Sequence, residues 1–480
     1  MVIVFAADLH LPYRTDAVQY RVFRRMLREA AHADLLVIAG DFTAACDPEA
    51  VDAFAREMAD YPVPAVILCG NAEHRGTAEN LQRALRLQSP IRNEVSGWTI
   101  LSLQDSDAAI PEEAYDALRQ ADARTIVVGH HPIASLKKAH RARMEAWRGE
   151  HPHIPFFAAH KHKFDDTDPY TTILPACDPD KAIGEEPSIV FYDTDTGAMR
   201  RSFYPAPVPA DFPRWLGISC PDPAADIPYA ASHGIRCVEL RANAARADRA
   251  ALMALIRDWR EKGGEILSLH APDIRGGTDT DGSWAAFAAL AADLGADRIT
   301  LHPPRISAAE VRADPTLLSR PARLVGEAVR DLSTVHVIGI ENMHMTEADT
   351  PENRRFGCLP DEIRAWRDAV AAHTAIPCGL HLDVGHARNN RPYSEKYSLG
   401  AWYAEIGGEI VGYHLHQIDR SSGKWENHCP MDNRYGPLIS FAGFFDAWSC
   451  GQLAKAPLIL EIRTPGGYAS AADAIMSGKR

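Results

Sequence analysis

Short apolar runs recur through the first two hundred residues, at 2–7, 35–39, 65–69, 98–103, 125–129, 154–159 and 188–192. Runs of this length, bounded by turn-forming residues, predict buried strands. The stretches between them carry a different period. Residues 17–32 and 48–60 predict helices, the second with Val51, Phe54, Ala55 and Met58 at helical spacing. The pattern breaks at FYPAPVPADFP, 203–213, whose four prolines can continue neither a helix nor a central strand. This predicts a linker over 204–213, joining a first domain, 1–203, to a second, 214–480.

The second domain is more regular. Strand-like runs at 216–219, 237–240, 266–270, 298–302, 337–341, 379–383, 411–416 and 458–462 alternate with helical stretches such as 245–261, 283–294 and 318–331. Eight strands separated by helices predict a (β/α)8 TIM barrel. An open doubly wound sheet is the alternative; the absence of a Gly-rich phosphate turn argues against it. The fold class expected is α/β with two domains.

Composition changes this picture little. Of 480 residues 46% are apolar and 24% charged, which suits a globular chain with a large core. The net charge of -13 argues against a broad nucleic-acid surface, because phosphate backbones are held mainly by Lys and Arg. Nine scattered cysteines without a CxxC pair read as reduced thiols, and a cytoplasmic location is expected. The opening MVIVFAADLH lacks a basic lead-in and reads as a first strand rather than a signal peptide. No run approaches the ~20 apolar residues of a membrane span.

The 21 histidines matter more, since the informative ones end apolar runs, where α/β proteins place their sites. Asp8 and His10 lie two apart at a strand end and share a face. Asp41 follows LLVIAG, Asn71 follows VILCG, His130 and His131 follow TIVVG, and His160 and His162 follow IPFFAA. Strands converging in a sheet bring these ends to one edge. Two carboxylates, an amide oxygen and several imidazoles suit two cations such as Mn, Fe or Zn, with Asp41 as the bridge. A lone histidine at a strand end is more often structural than a ligand; the full order D-x-H, GD, GN, GHH, H-x-H is what points to a centre.

This order resembles the calcineurin-like metallophosphoesterases. The resemblance implies a four-layer α/β/β/α sandwich. It also implies one cation on Asp8, His10, Asp41 and His162, another on Asp41, Asn71, His130 and His160, and phosphoester hydrolysis by a water activated between them. His131 is assigned to substrate binding. The chain departs from the family at Gly70-Asn71-Ala72-Glu73-His74, where a His usually follows the Asn and helps the leaving group depart. Here that position is Ala72, and His74 is the candidate replacement. Such an acid is worth ~10²–10⁴-fold, so phosphodiesters with good leaving groups are the expected substrates. Ala159 stands where Gly usually precedes H-x-H.

In the second domain, polar residues again sit at strand ends: His270, His302, Glu341, Asp383 with His386, His414 and Glu461, joined by Glu426 and His428 from a loop. Any one of these would be unremarked as an ion-pair partner; so many over consecutive elements predict a metal centre at the C-terminal face. The set resembles the xylose-isomerase-like superfamily of sugar isomerases, epimerases and apurinic-site (AP) endonucleases. Glu341, Asp383, His414 and Glu461 match the single-metal epimerase branch, in which Glu341 and Glu461 would move a proton. His270, His302, His386 and His428 match the three-zinc endonuclease branch, with Glu426 where that branch has Asp. One to three Zn or Mn ions are implied. His381 and His416 read either as partners of the ligands or as barrel core, and Arg463 as a phosphate contact or an ion-pair partner. Trp215, Trp284 and Trp402 read as packing residues, and His336 and His344 receive no role.

The leading reading is a bifunctional metal-dependent enzyme acting on a small phosphorylated metabolite, sugar- or nucleotide-derived, with no membrane partner. Its barrel would be a sugar isomerase or epimerase, or a second phosphoesterase. The alternatives are an AP-endonuclease-type repair enzyme acting on nucleic acid, and a non-catalytic ligand-binding barrel attached to a phosphoesterase.

Overall fold

The computed structural model describes residues 1–241, 244, 248–275, 282–431, 434–436, 438–464 and 466–476. Its contacts divide the chain into two units, Met1–Pro207 with Tyr435–Asp446, and Val208–Arg434 with Ala447–Lys479. The division falls inside the expected linker. Tyr435–Asp446, expected with the barrel, groups with the first unit instead.

The first unit holds two sheets. One orders its strands Met199–Phe203, Ser188–Asp193, Val2–Ala6, Leu35–Ala39 and Ala65–Leu68. The other runs Arg92–Val95, Trp98–Ser102, Thr125–Val128, Phe156–Ala158, Thr171–Ile173 and Asp165–Asp168. Period-two alternation sorts the side chains into layers. Ile3 and Phe5 join a core shared with Ile100, Ile126, Val128 and Phe157 of the second sheet, and the Phe5 and Phe157 rings stack at 4.0 Å. Val4 and Ala6, between them in sequence, face Tyr20, Phe23 and Met26 of the helix Val18–Ala30. On the far side Leu101, Val127 and Phe156 pack against Met144 and Trp147 of the helix Lys138–Glu150. This is the four-layer sandwich. Every expected strand forms. Four others, Arg92–Val95, Asp165–Asp168, Thr171–Ile173 and Met199–Phe203, carry little apolar signal because they lie at or near sheet edges.

The second unit is a closed eight-stranded parallel barrel: Leu216–Cys220, Cys237–Arg241, Ile266–His270, Arg298–Leu301, Val337–Glu341, Cys378–Asp383, Ile410–Leu415 and Leu458–Leu460. The last strand pairs with both the seventh and the first, which closes the ring. The expected helix 245–261 is seen as Arg249–Glu261, capped by Asp248, whose carboxylate accepts from Ala250 and Ala251 N–H; 245–247 lie outside the described residues. The barrel interior is polar. Arg298, fully buried, donates to the Val411 carbonyl at 2.5 Å and to His381 Nδ1 at 3.0 Å. Gly412 makes room for it, since a Cβ there would lie 2.3 Å from the guanidinium. Trp284 and Trp402 are buried packing residues, and no helix among the described residues is long and apolar enough to cross a membrane.

Candidate metal centres

The seven expected ligands of the first unit meet at one edge. Parallel pairing of Val2–Ala6, Leu35–Ala39 and Ala65–Leu68 places the turns carrying Asp8, Asp41 and Asn71 side by side. The second sheet brings His130 after Thr125–Val128 and His160 and His162 after Phe156–Ala158. Asp41 divides two groups: its Oδ2 lies 3.9 Å from His10 Nε2, and its Oδ1 lies 3.5 Å from His130 Nε2. His162 Nε2 lies 3.3 Å from His10 Nε2 and 3.6 Å from Asp8 Oδ1. Asn71 Oδ1 lies 3.0 Å from His130 Nε2 and 2.7 Å from His160 Nδ1. One oriented residue thus faces each group from Asp41, the arrangement a bridging carboxylate between two cations requires.

Electrostatics support cation binding. Burial and the neighbouring Asp41 raise the Asp8 carboxyl well above its ordinary range, so the two acids resist ionising together. Burial, then the crowding of other cationic groups, lowers His10, and the same effects bring His160 down to about 4, leaving neutral nitrogens ready to ligate. Asp8 Oδ1 is buried without a hydrogen-bond partner. The backbone is strained to hold this geometry. Asp8, His10, Asp41, His160 and His162 all have positive φ, between 44° and 72°. Such conformations persist in non-glycine residues only where the surroundings over-determine them.

His131 is buried beside His130 and His160, close enough to share a cation with them. Its Nδ1 donates to the Asp105 carbonyl at 2.8 Å, which leaves Nε2 as its ligand nitrogen. Asp105, not singled out in the sequence, accepts from the backbone N–H of both His130 and His131 at 2.7 Å. An Asp two residues past the strand-like run 98–103 was the sequence feature, but its role needs the tertiary contact to show. His74 is not brought to the cluster. It is exposed, its Nε2 is 2.7 Å from Ser106 Oγ, and it lines a separate shallow pocket with Gln88 and Gln104. The expectation that it replaces the missing acid therefore has no geometric support: the short helix Glu73–Arg75 turns its ring toward Ser106.

The second centre is built at the C-terminal mouth of the barrel. Glu341, Asp383 and His414 end the fifth, sixth and seventh strands, with Asp383 and His414 paired in register, and Glu461 follows the eighth. His414 Nδ1 lies 3.3 Å from Glu341 Oε1, 3.8 Å from Asp383 Oδ2 and 3.1 Å from Glu461 Oε2. His428 Nδ1 lies 3.3 Å from that same Glu461 oxygen. Glu341 Oε1, His414 Nδ1, His428 Nδ1 and Glu461 Oε2 are all buried without a hydrogen-bond partner, and they converge. Bound cations would satisfy these atoms, and Asp383, His416, His428 and Glu461 lie close enough to share one. Although burial opposes it, Glu341 and Glu239 push the His414 imidazolium up to about 10, so the carboxylates around it call for positive charge.

Two further groups flank this set. His270 Nε2 and His302 Nε2 lie 3.0 and 3.3 Å from Glu341 Oε2, which makes Glu341 a second bridging carboxylate. On the other side His386, His416 and His428 come close enough for one ring nitrogen of each to hold a cation. His428, at φ 60°, is a further strained residue of the set. His416 Nε2 also lies 2.9 and 3.1 Å from the Asp383 oxygens, and its Nδ1 donates to the Gln417 carbonyl at 2.9 Å, which leaves Nε2 as its ligand nitrogen. It belongs with the ligands rather than the core. His381 is core: it lies fully buried under His414, with ring centroids 4.1 Å apart.

Glu426 is not brought to the cluster. It is exposed on the strand Glu426–Cys429 and accepts from Ser422 Oγ at 2.9 Å. Strand alternation puts Glu426 and His428 on one face, but the ladder with Gln417–Asp419 is irregular and the left-handed backbone at His428 redirects that side chain alone. Arg463 is exposed, its N–H on the His428 carbonyl. Arg241, beside it electrostatically, pairs with Glu461. Residues that sequence reasoning missed are Glu239, a charged residue inside the run CVEL, and Asp273, which lies 3.1 Å from His302 Nδ1. His344 is a third: its ring lies 4.7 Å from that of His386, and it borders a cavity of about 630 Å³ that includes Asn389, Arg391 and Lys424.

Two folds and two clusters of buried ligands define a metal-dependent enzyme. The chain belongs to the xylose isomerase-like TIM barrel family, whose model matches residues 227–477, and it carries a calcineurin-like phosphoesterase domain, matched over 1–164. No curated protein matches it. Solved structures similar to it include a D-tagatose 3-epimerase-like protein, at 16% identity over 53% of this chain and 93% of that one, TM-score 0.38. Endonuclease IV from Thermus thermophilus is similar at 19% identity over 55% of this chain and 96% of that one, TM-score 0.38.

Proposed function

We propose that the protein is a bifunctional metallohydrolase in which both centres cleave phosphoester bonds of a small phosphorylated metabolite, sugar- or nucleotide-derived. The observation that carries this reading is the repeated bridging carboxylate, Asp41 in one unit and Glu341 in the other, each facing a different histidine set from each oxygen. Divalent cations such as Mn, Fe or Zn in the first unit, and Zn or Mn in the barrel, would supply an acidified water and charge neutralisation for in-line displacement at phosphorus. Asp8, His10, Asp41 and His162 would hold one, and Asp41, Asn71, His130 and His160 its neighbour. In the barrel the residues are Glu341, Asp383, His414 and Glu461, flanked by His270 and His302 and by His386, His416 and His428.

Hydrolysis is favoured over epimerisation in the barrel by what its two glutamates touch. An epimerase needs Glu341 and Glu461 to exchange protons with carbon. Here the second oxygen of Glu341 is engaged by His270 and His302, and Glu461 is paired with Arg241. The cavity beside His344 has the volume of a small-molecule site. Net charge -13 favours a metabolite over a nucleic acid.

The test is a screen of phosphomonoesters, phosphodiesters and sugar phosphates with the metal-replete protein, Asp41→Ala and Glu341→Ala. Each variant should lose one hydrolytic activity and keep the other. Sugar epimerisation that disappears in Glu341→Ala would replace the barrel reading, and salt-sensitive incision of abasic duplex would replace the metabolite.

A further inference from the structure

The turn that follows Ala65–Leu68 is clamped to the first centre. The Glu73 carboxylate accepts from Thr43 N–H at 2.9 Å, Thr43 Oγ1 at 2.8 Å and Gly70 N–H at 2.7 Å. Ala72 N–H donates to Asp41 Oδ1 at 2.7 Å. These bonds fix the short helix Glu73–Arg75 against the ligands. Ala72 offers no polar side chain there, and His74 is taken by Ser106. Arg75 is the strong cation of this turn. Its Nη1 donates to the Ala44 carbonyl at 3.3 Å, its side chain is exposed, and its charge is felt at His10 and Asp41.

Asn71 connects Arg75 to the cations. One end of its amide faces His130 Nε2 and His160 Nδ1, and the other lies 3.0 Å from Arg75 Nη2 and 3.3 Å from Ala72 N. With the oxygen toward the imidazoles, Asn71 can ligate a cation, but its NH₂ then meets Arg75 donor against donor. With the oxygen toward Arg75, the amide accepts from the guanidinium and presents only N–H to the centre. Ligation by Asn71 and acceptance from Arg75 exclude one another.

We infer that Arg75 grips a phosphoryl oxygen of the substrate at the first centre, and that Asn71 stops accepting from its Nη2 when it turns its oxygen to a cation. The inference deepens the phosphoester reading of that centre and rests on it. A guanidinium fork matches phosphate oxygens and stays charged at any working pH, so it holds the substrate and offsets charge but gives no proton to the leaving group.

The experiment measures inorganic phosphate binding by calorimetry to the metal-loaded full chain, in a Glu341→Ala background that removes the barrel's contribution. Arg75→Ala should bind phosphate roughly tenfold to a hundredfold more weakly, the size of one charge-assisted hydrogen bond, with the metal content of the first unit unchanged. Arg75→Lys should recover part of the loss, and ester hydrolysis should show the defect mainly in KM. Equal phosphate affinity in Arg75→Ala and its parent would overturn the role of Arg75 alone. A parent that holds its metals but binds no phosphate would overturn the phosphoester reading as well.

Discussion

His414 donates its Nε2–H to Glu239 Oε1 at 2.7 Å, and this single bond decides which nitrogen faces the barrel centre. Glu239 is in turn fixed by Ser268 Oγ at 2.7 Å and Thr300 Oγ1 at 2.9 Å, both on its other oxygen. Burial works against its ionisation, yet His414 holds the Glu239 carboxyl well below the usual range. The carboxylate therefore stays charged, locks the tautomer and makes Nδ1 more basic. Glu239→Ala should weaken metal binding in the barrel by ~10–100-fold while sparing the first unit. Chelator competition followed by elemental analysis of each variant reads this directly; an unchanged barrel affinity would show that the bond has no hold on the ligand.

Ala72 sets the chemistry of the first centre. With no proton-donating side chain at Ala72, with the Glu73 carboxylate occupied by Thr43 and Gly70, and with Arg75 unable to give up a proton, departure of the leaving group depends on its own stability. Rates across a series of aryl phosphodiesters should therefore rise steeply with leaving-group acidity. Ala72→His should flatten that slope and raise the poorest substrates by up to ~10²–10⁴-fold. Ala72 is fully buried, so the variant's folding has to be checked alongside. A flat slope in the unmodified protein would mean that another group donates the proton.

Most of the fold was legible in the sequence, and the reason is local. Each barrel strand is a short apolar run between amphipathic helices, and Asp8, Asp41, Glu341 and Asp383 interrupt such runs at their ends. Side chains placed by backbone strain were less legible. Glu426 and His428 differ in direction because of one left-handed residue, and no pattern of apolar positions reports a φ of 60°. Glu239 and Asp105 were hidden for a different reason: each acts on a histidine that is distant in sequence, so only tertiary contact shows its role.

That difference in direction separates two residues that lie two apart. Glu426 is exposed and bound to Ser422, whereas His428 is buried, 3.3 Å from the Glu461 oxygen that also faces His414. Glu426→Gln should leave metal content and activity unchanged, within the ~0.5 kcal/mol typical of surface substitutions. His428→Ala should lower barrel metal content, measured after dialysis against matched free metal. Loss of metal in the Glu426 variant would show that this loop closes onto the centre when loaded.

Away from both centres, an ion-pair network ties barrel helices together and gives a pH signature of its own. Arg364, from the helix Pro360–Ala371, donates to Glu409 at 2.7 Å and to Glu405 at 2.8 Å, and Arg367 pairs with Glu409 as well. Partial burial opposes ionisation of Glu409, but the two guanidiniums outweigh it and hold its carboxyl below the ordinary value of 4.5. A folded-state value below the unfolded one means that the contribution is complete above about pH 4.5 and is lost as pH falls through the lower, folded-state value. Glu409→Gln should therefore destabilise the barrel at pH 7, by about 1 kcal/mol after allowance for solvent screening of a half-buried network. The gap between variant and parent should close as the pH drops below about 4.5. Thermal melts of the chelated protein are the right measurement, because acid also strips cations from histidine and carboxylate ligands and would otherwise add its own loss. A gap that stays constant down to pH 3 would mean that packing, not charge, accounts for what Glu409 contributes.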